Sequence, residues 1–88
     1  MAIIRKKTWP HYFELIKSGK KKFDLRVADF KVKKGDTLVL EEWDPKTKQY
    51  TGRQVKKKIN FFLRFSLDEF GQQKEIKKHG FYVIQLED

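Results

Sequence analysis

Apolar side chains at helical spacing open this sequence: Trp9, Phe13 and Ile16 fall at i, i+4 and i+7. Thr8 is suited to cap the helix they imply, Pro10 belongs in its first turn, and Ser18-Gly19 supplies its stop. Lys17, in the last turn, suits the negative end of the helix dipole. Most of the remaining chain reads as short strands between turn signals. One early helix and about five strands confine the chain to α+β, with the helix stripe packed on a small sheet.

The strands are read from period-two alternation and from short apolar runs. Lys22-Phe23-Asp24-Leu25-Arg26-Val27 alternates, which directs Phe23, Leu25 and Val27 inward and Lys22, Asp24 and Arg26 outward. Lys33-Lys34-Gly35-Asp36 is a turn, Thr37 to Leu40 and on to Trp43 a buried strand, and Asp44 to Gln49 a hairpin connection. Tyr50 to Val55 leads into a strand-like segment ending near Phe65. Ser66 with Glu69 three residues later has a capping-box pattern that Gly71 ends within two turns. Phe81 to Leu86 closes the chain as a strand. The expected fold is a single domain over residues 1–88: a small, mostly antiparallel barrel with an N-terminal helix and a short second helical turn.

Composition sets the function classes. The 88 residues hold no cysteine, which removes disulfides, thiol nucleophiles and cysteine-based zinc sites together. Apolar stretches such as Leu38-Val39-Leu40 are far short of the ~20 residues that cross a bilayer. The charges at Arg5, Lys6 and Lys7 precede no long apolar region, so no secretory signal is read and a soluble, cytoplasmic protein is expected. His11 and His79 lack a metal-ligand spacing, His79-Gly80 reads as a turn, and no phosphate-binding glycine motif occurs. No metal, cofactor or membrane partner is expected, and the chain is expected to act as a monomer.

The 21 Lys and Arg against 12 Asp and Glu give a net charge of +9, unevenly placed. Residues 1–34 carry +8 and residues 56–64 carry +4, while the segments after each are slightly negative. Two basic blocks separated in this way suggest one or two basic surfaces and an anionic partner, of which nucleic acid is the commonest form. Within Lys56-Lys57-Lys58, alternation sends Lys57 to the opposite face from its neighbours, a pattern suited to an edge strand.

The segment Gly19-Lys20-Lys21-Lys22-Phe23-Asp24-Leu25-Arg26 is the most informative. Its residue types permit either a surface ion pair of Asp24 with Arg26 among solvated lysines, or an Asp24 that steadies the Arg26 guanidinium for a phosphate or base edge. The segment resembles the GxKxxExR signature of the ASCH domains, a branch of the PUA-like superfamily. Gly19, Lys21 and Arg26 match, and Asp24 stands where the family has Glu. The preceding helix, the Lys34-Gly35-Asp36 turn and the Tyr82-Val83-Ile84 ending are similar to those domains. Glu42-Trp43-Asp44-Pro45 with Tyr50-Thr51-Gly52-Arg53 resembles a compact bacterial and phage subgroup.

The resemblance implies a β-barrel with a cleft beside the signature that binds RNA or nucleotides. Gly19, Lys20, Lys21, Lys22, Asp24 and Arg26 would then form the binding segment. Trp43, Tyr50 and Arg53 are candidates for a rim on which bases stack, although the two aromatics equally suit a barrel core and cap. Trp9 is expected in the core, with the stretch Trp9 to Tyr12 as a further candidate for the rim. Some small ASCH proteins are amidohydrolases that deacylate acetylated cytidine with a Thr nucleophile, a Lys and a Glu. Lys21 matches that Lys, but Asp24 occupies the Thr position; Glu69 and Glu75 are candidates for the Glu. An enzyme of this kind, with Lys21 and Asp24 in acid/base roles, is therefore the alternative to a binding protein without catalysis.

Overall fold

A computed structural model describes residues 1–84 and Glu87. It is α+β. Strand β1 (Ile3–Thr8) leads into helix α1 (Pro10–Lys17), and an irregular stretch then precedes β2 (Thr37–Asp44). Strand β3 (Gln49–Lys58) follows across a tight turn, and a 3-10 turn (Leu67–Phe70) and helix α2 (Gln73–His79) complete the regular elements described. The sheet order is β1-β2-β3. β1 runs parallel to β2, with Ile3 beside Thr37 and Thr8 beside Glu42. β3 runs antiparallel to β2, with Thr37 beside Lys58 and Trp43 beside Tyr50.

Paired residues point to the same side of a sheet and successive ones alternate, so the register sorts the side chains. One face carries Ile4, Lys6 and Thr8 of β1 with Leu38, Leu40 and Glu42 of β2. Helix α1 packs against β2, and its stripe residues Phe13 (1% exposed) and Ile16 (5%) join Leu40 (1%) in the core. Burying a side chain such as Phe13 is worth about 1.5–3 kcal/mol. Val39 is equally buried, but from the other side of the sheet. Opposite Glu42, β3 holds three residues, Thr51, Gly52 and Arg53, between the Glu41–Gln54 and Trp43–Tyr50 pairs. Gly52 takes φ +92° there, a conformation that side chains rarely adopt.

Several expectations are corrected. Among the described residues the sheet is open and has three strands rather than about five. The N-terminal residues form β1, which was not expected from a sequence with three successive cations. The cationic side chain of Lys6 lies over the Phe30 ring at 3.8 Å, so a lysine stem fills a core-side position. Thr8 does not cap α1: it ends β1, its hydroxyl accepts from Arg26, and Trp9 occupies the cap position without a side-chain cap bond. Trp9 is exposed rather than in the core.

Residues 22–27 form no strand. From Asp24 to Val27 the alternation persists with the opposite phase: Leu25 and Val27 are exposed, while Asp24 and Arg26 turn inward to hydrogen-bond with one another and with β1, and Phe23 stays half-buried as expected. The strand-like segment after Val55 ends at Lys58, and Ser66 makes no side-chain cap bond, so the capping box is not formed. Helix α2 buries none of its residues and so has no apolar stripe that would announce it. Phe81 to Ile84 have no regular structure; Gln85 and Leu86 lie outside the described residues.

Candidate functional site

A cavity of about 1020 Å³ opens on the helix-bearing side of the sheet. Ile16, Leu38 and Leu40 line its apolar base. Residues between 19 and 33 form one wall and residues 57–64 the other. The two basic blocks of the sequence therefore face one space: Lys21, Arg26 and Lys33 come from the first, and Lys57, Lys58 and Arg64 from the second. Phe23, Phe30 and Phe61 add ring surface between these charges.

Local geometry places the signature on its wall. Helix α1 ends at Lys17, and just beyond it Gly19 takes φ +83° and donates its N–H to the Ile16 carbonyl. The Lys21 N–H donates to the Leu15 carbonyl at 2.9 Å, so the helix end fixes the backbone of Lys21 directly. Lys21 Nζ lies 5.1 Å from the Phe23 ring centre and 5.2 Å from that of Tyr12.

Arg26 is held from three sides. Its Nε–H donates to Asp24 Oδ2 at 2.6 Å, Nη1 to the Lys7 carbonyl at 3.1 Å, and Nη2 to Thr8 Oγ1 at 3.0 Å. Of the five N–H donors of a guanidinium, these bonds use three and leave one on each terminal nitrogen among the described residues. The opposite corner of the cleft is tied by Asp36, a buried carboxylate that accepts the Ala2 and Lys33 amides, each at 2.9 Å. Those bonds hold its carboxyl below the usual carboxylate range, the Ala2 amide being the largest cause. Backbone bonds between Gly35 and Ile59 and between Ile59 and Asp36 join the two walls at their base.

Of the candidates drawn from the sequence, Gly19, Lys21, Lys22, Asp24 and Arg26 line the cavity. Lys20 is exposed outside it. Trp43, Tyr50 and Arg53 do not line the cavity. Trp43 and Tyr50 share the other face of the sheet, where Lys7 Nζ sits 4.2 Å from the Trp43 ring centre. Arg53 packs on α1: it pairs with Glu14, lies 4.9 Å over the Phe13 ring, and approaches Glu42 Oε1 at 3.7 Å. The bond with Arg53 lowers the Glu14 pKa, and the same bond raises that of Arg53. Glu42 is itself buried and accepts the Thr51 hydroxyl at 2.6 Å. Arg53 is thus a packing and ion-pairing residue.

Sequence reasoning read Lys57 only as part of an edge strand and did not single out Arg64, although the charge of residues 56–64 was a signal for both. It also missed the Glu14–Arg53–Glu42–Thr51 cluster, whose members are 39 residues apart at the extreme and have no local motif.

The family model of a domain of unknown function, DUF3850, matches residues 5–77, a span that takes in both walls of this cleft. The chain belongs to the DUF3850 family. This DUF3850 chain is also 42% identical over 48 residues to an uncharacterized 12.9 kDa protein in the GpA 3' region of Escherichia phage P2. The match covers 54% of the DUF3850 chain and 42% of the phage protein, so it spans less than half of that relative. No solved structure matches the chain. Among its described residues, no helix is long and apolar enough to cross a membrane.

Proposed function

We propose that this DUF3850 chain is an ASCH-type, PUA-like domain that binds RNA or another nucleic acid in the cleft. The observation that carries this reading is the meeting of the two basic blocks across one cavity whose wall holds Lys21, Asp24 and Arg26. An apolar base between cationic walls suits a ligand that is flat and apolar at one end and anionic at the other, as a nucleotide is. Arg26, steadied by Asp24, directs its remaining donors at a phosphate or base edge, and Lys21, Lys57 and Arg64 supply charge around it. The PUA-like barrel belongs to this reading as its expected architecture; among the described residues the sheet has three strands and is open.

Filter binding with RNA and single-stranded DNA tests it. A saturable complex at low salt is expected, weakening with salt by about 0.7 counterions per phosphate contacted and weakened further by Lys57→Glu with Arg64→Glu. Absence of any saturable complex at low salt overturns the reading.

Lys21 and Asp24 share the cavity wall, which keeps the deacylase alternative in play for the same cleft. Against it, the Asp24 carboxylate is engaged by Arg26 and supplies no hydroxyl nucleophile. Mass spectrometry of acetylated cytidine incubated with the protein decides between the two. Deacylation that disappears in Lys21→Ala would favour the enzyme, and no turnover would remove it.

A further inference from the structure

The face of the sheet turned away from α1 carries a second arrangement of charge and rings. The register places Arg5 and Lys56 on either side of Val39, and Lys7 and Gln54 on either side of Glu41. Neighbouring strands lie ~4.8 Å apart, so the Arg5 and Lys56 backbones bracket a lane about 10 Å wide along β2. Arg5, Lys7, Gln54 and Lys56 are all exposed, while Val39 between them is buried. At the far end of the lane Trp43 and Tyr50 stand directly opposite one another, with Tyr50 57% exposed. Lys58, beside Thr37, continues the row of cations to the rim of the cleft. The acid placed by register among these cations is Glu41, which Arg5 meets at 3.9 Å.

The geometry points to this face as a second nucleic-acid contact, one that takes a single strand along β2. Cations on both outer strands suit a phosphate chain running between them. Tyr50 offers a ring on which a base stacks, with Trp43 and Lys7 beside it; stacking of this kind requires unpaired bases, which a duplex does not present. The inference concerns a different face from the cleft and stands or falls separately from it.

The test uses the full chain carrying Trp9→Phe, so that Trp43 is the one remaining indole. It is titrated with oligo(dT) and oligo(rU) of about 12 nucleotides, a length within the usual single-strand site sizes. Saturable quenching of Trp43 fluorescence is expected with one or both. Tyr50→Ala should weaken it about tenfold, Tyr50→Phe should retain it, and Lys56→Glu should weaken it and lower the salt slope by about 0.7. Lys57→Glu, on the cleft side, should leave the quenching in place. Quenching indifferent to both Tyr50→Ala and Lys56→Glu, equal quenching by duplex DNA, or no quenching at low salt overturns the inference. Filter binding that survives in the last case would leave the cleft reading intact. Circular dichroism of each variant separates lost binding from lost folding.

Discussion

Arg26 donates to Asp24 at 2.6 Å and, with the same guanidinium, reaches Thr8 and Lys7 at the end of β1. Arg26 is thus the bracket that fastens one wall of the cleft to the sheet. Both side chains are largely covered, 24% exposed for Arg26 and 18% for Asp24, so their pairing is less screened than a surface ion pair.

Arg26→Lys should therefore behave almost like Arg26→Ala, since one ammonium cannot satisfy acceptors that a planar fork reaches together. Urea unfolding should show a loss of about 1–2 kcal/mol for either variant. An Arg26→Lys protein that unfolds at the wild-type midpoint would show that the bracket is not needed.

Thr51→Val should destabilise through Glu42. The hydroxyl donates at 2.6 Å to a carboxylate that is 4% exposed, and its loss leaves that oxygen with the more distant Arg53 Nε. The expected cost is about 1–3 kcal/mol by chemical denaturation. Glu42→Gln, which keeps an acceptor for the hydroxyl, should cost less than Thr51→Val, and the reverse order would count against this account.

Acid should weaken the fold at Asp36. Its pKa is lowered from the ordinary 3.8, first by the Ala2 amide and next by that of Lys33. The unfolded chain then takes up the proton more readily, so the contribution is present above the ordinary value and disappears as pH falls through the lower folded one. Glu14, lowered from 4.5 by Arg53, acts in the same sense. Thermal melts from pH 6 down to about 3 should fall more steeply for the wild type than for Asp36→Asn. Parallel curves would rule out Asp36 as the source.

Gly52→Ala isolates a backbone effect, because an added Cβ at this position meets no atom within 4 Å while φ is +92°. The predicted loss is about 1–2 kcal/mol, all of it conformational strain. A neutral substitution in a denaturant titration would mean that the three-residue bulge relaxes at no cost.

Phe13→Ala removes a ring that is 1% exposed, at about 3–5 kcal/mol. A chain of this length has a total stability of roughly 4–13 kcal/mol, so a large drop in Tm or outright unfolding is expected. Trp9→Phe, on an exposed ring, should leave Tm close to the wild type.

Helix α1 and the β2–β3 hairpin were legible because their signals are local: Phe13 and Ile16 at helical spacing, and an apolar run before a Pro45 turn. The phase of 22–27 was not, because alternation says which residues share a side and not which side is covered. Guanidinium hydrogen bonding to Thr8, 18 residues away, decides that question in favour of Asp24 and Arg26. β1 was hidden for a related reason, since Lys6 looks solvent-facing in a sequence and only a partner such as Phe30 shows otherwise. Gly19, Lys21, Asp24 and Arg26 of the signature share one cavity wall, while Arg53 lies apart on α1 because tertiary packing brings Glu14 and Glu42 to it.

The parallel pairing of β1 with β2 has a consequence for the order of events in folding. Ile3 meets Thr37 across 34 intervening steps of chain, and the stretch they enclose contains α1 and the whole signature. Until that loop closes, Arg26 has no Thr8 to grip, and loop closure of this kind precedes any reward from the contacts it permits. A nascent chain that has emerged only as far as Lys34 therefore carries most of the positive charge but no cleft to organise it. Organisation of that charge into one cleft becomes a property of the finished sheet, formed only once β1 and β2 have paired.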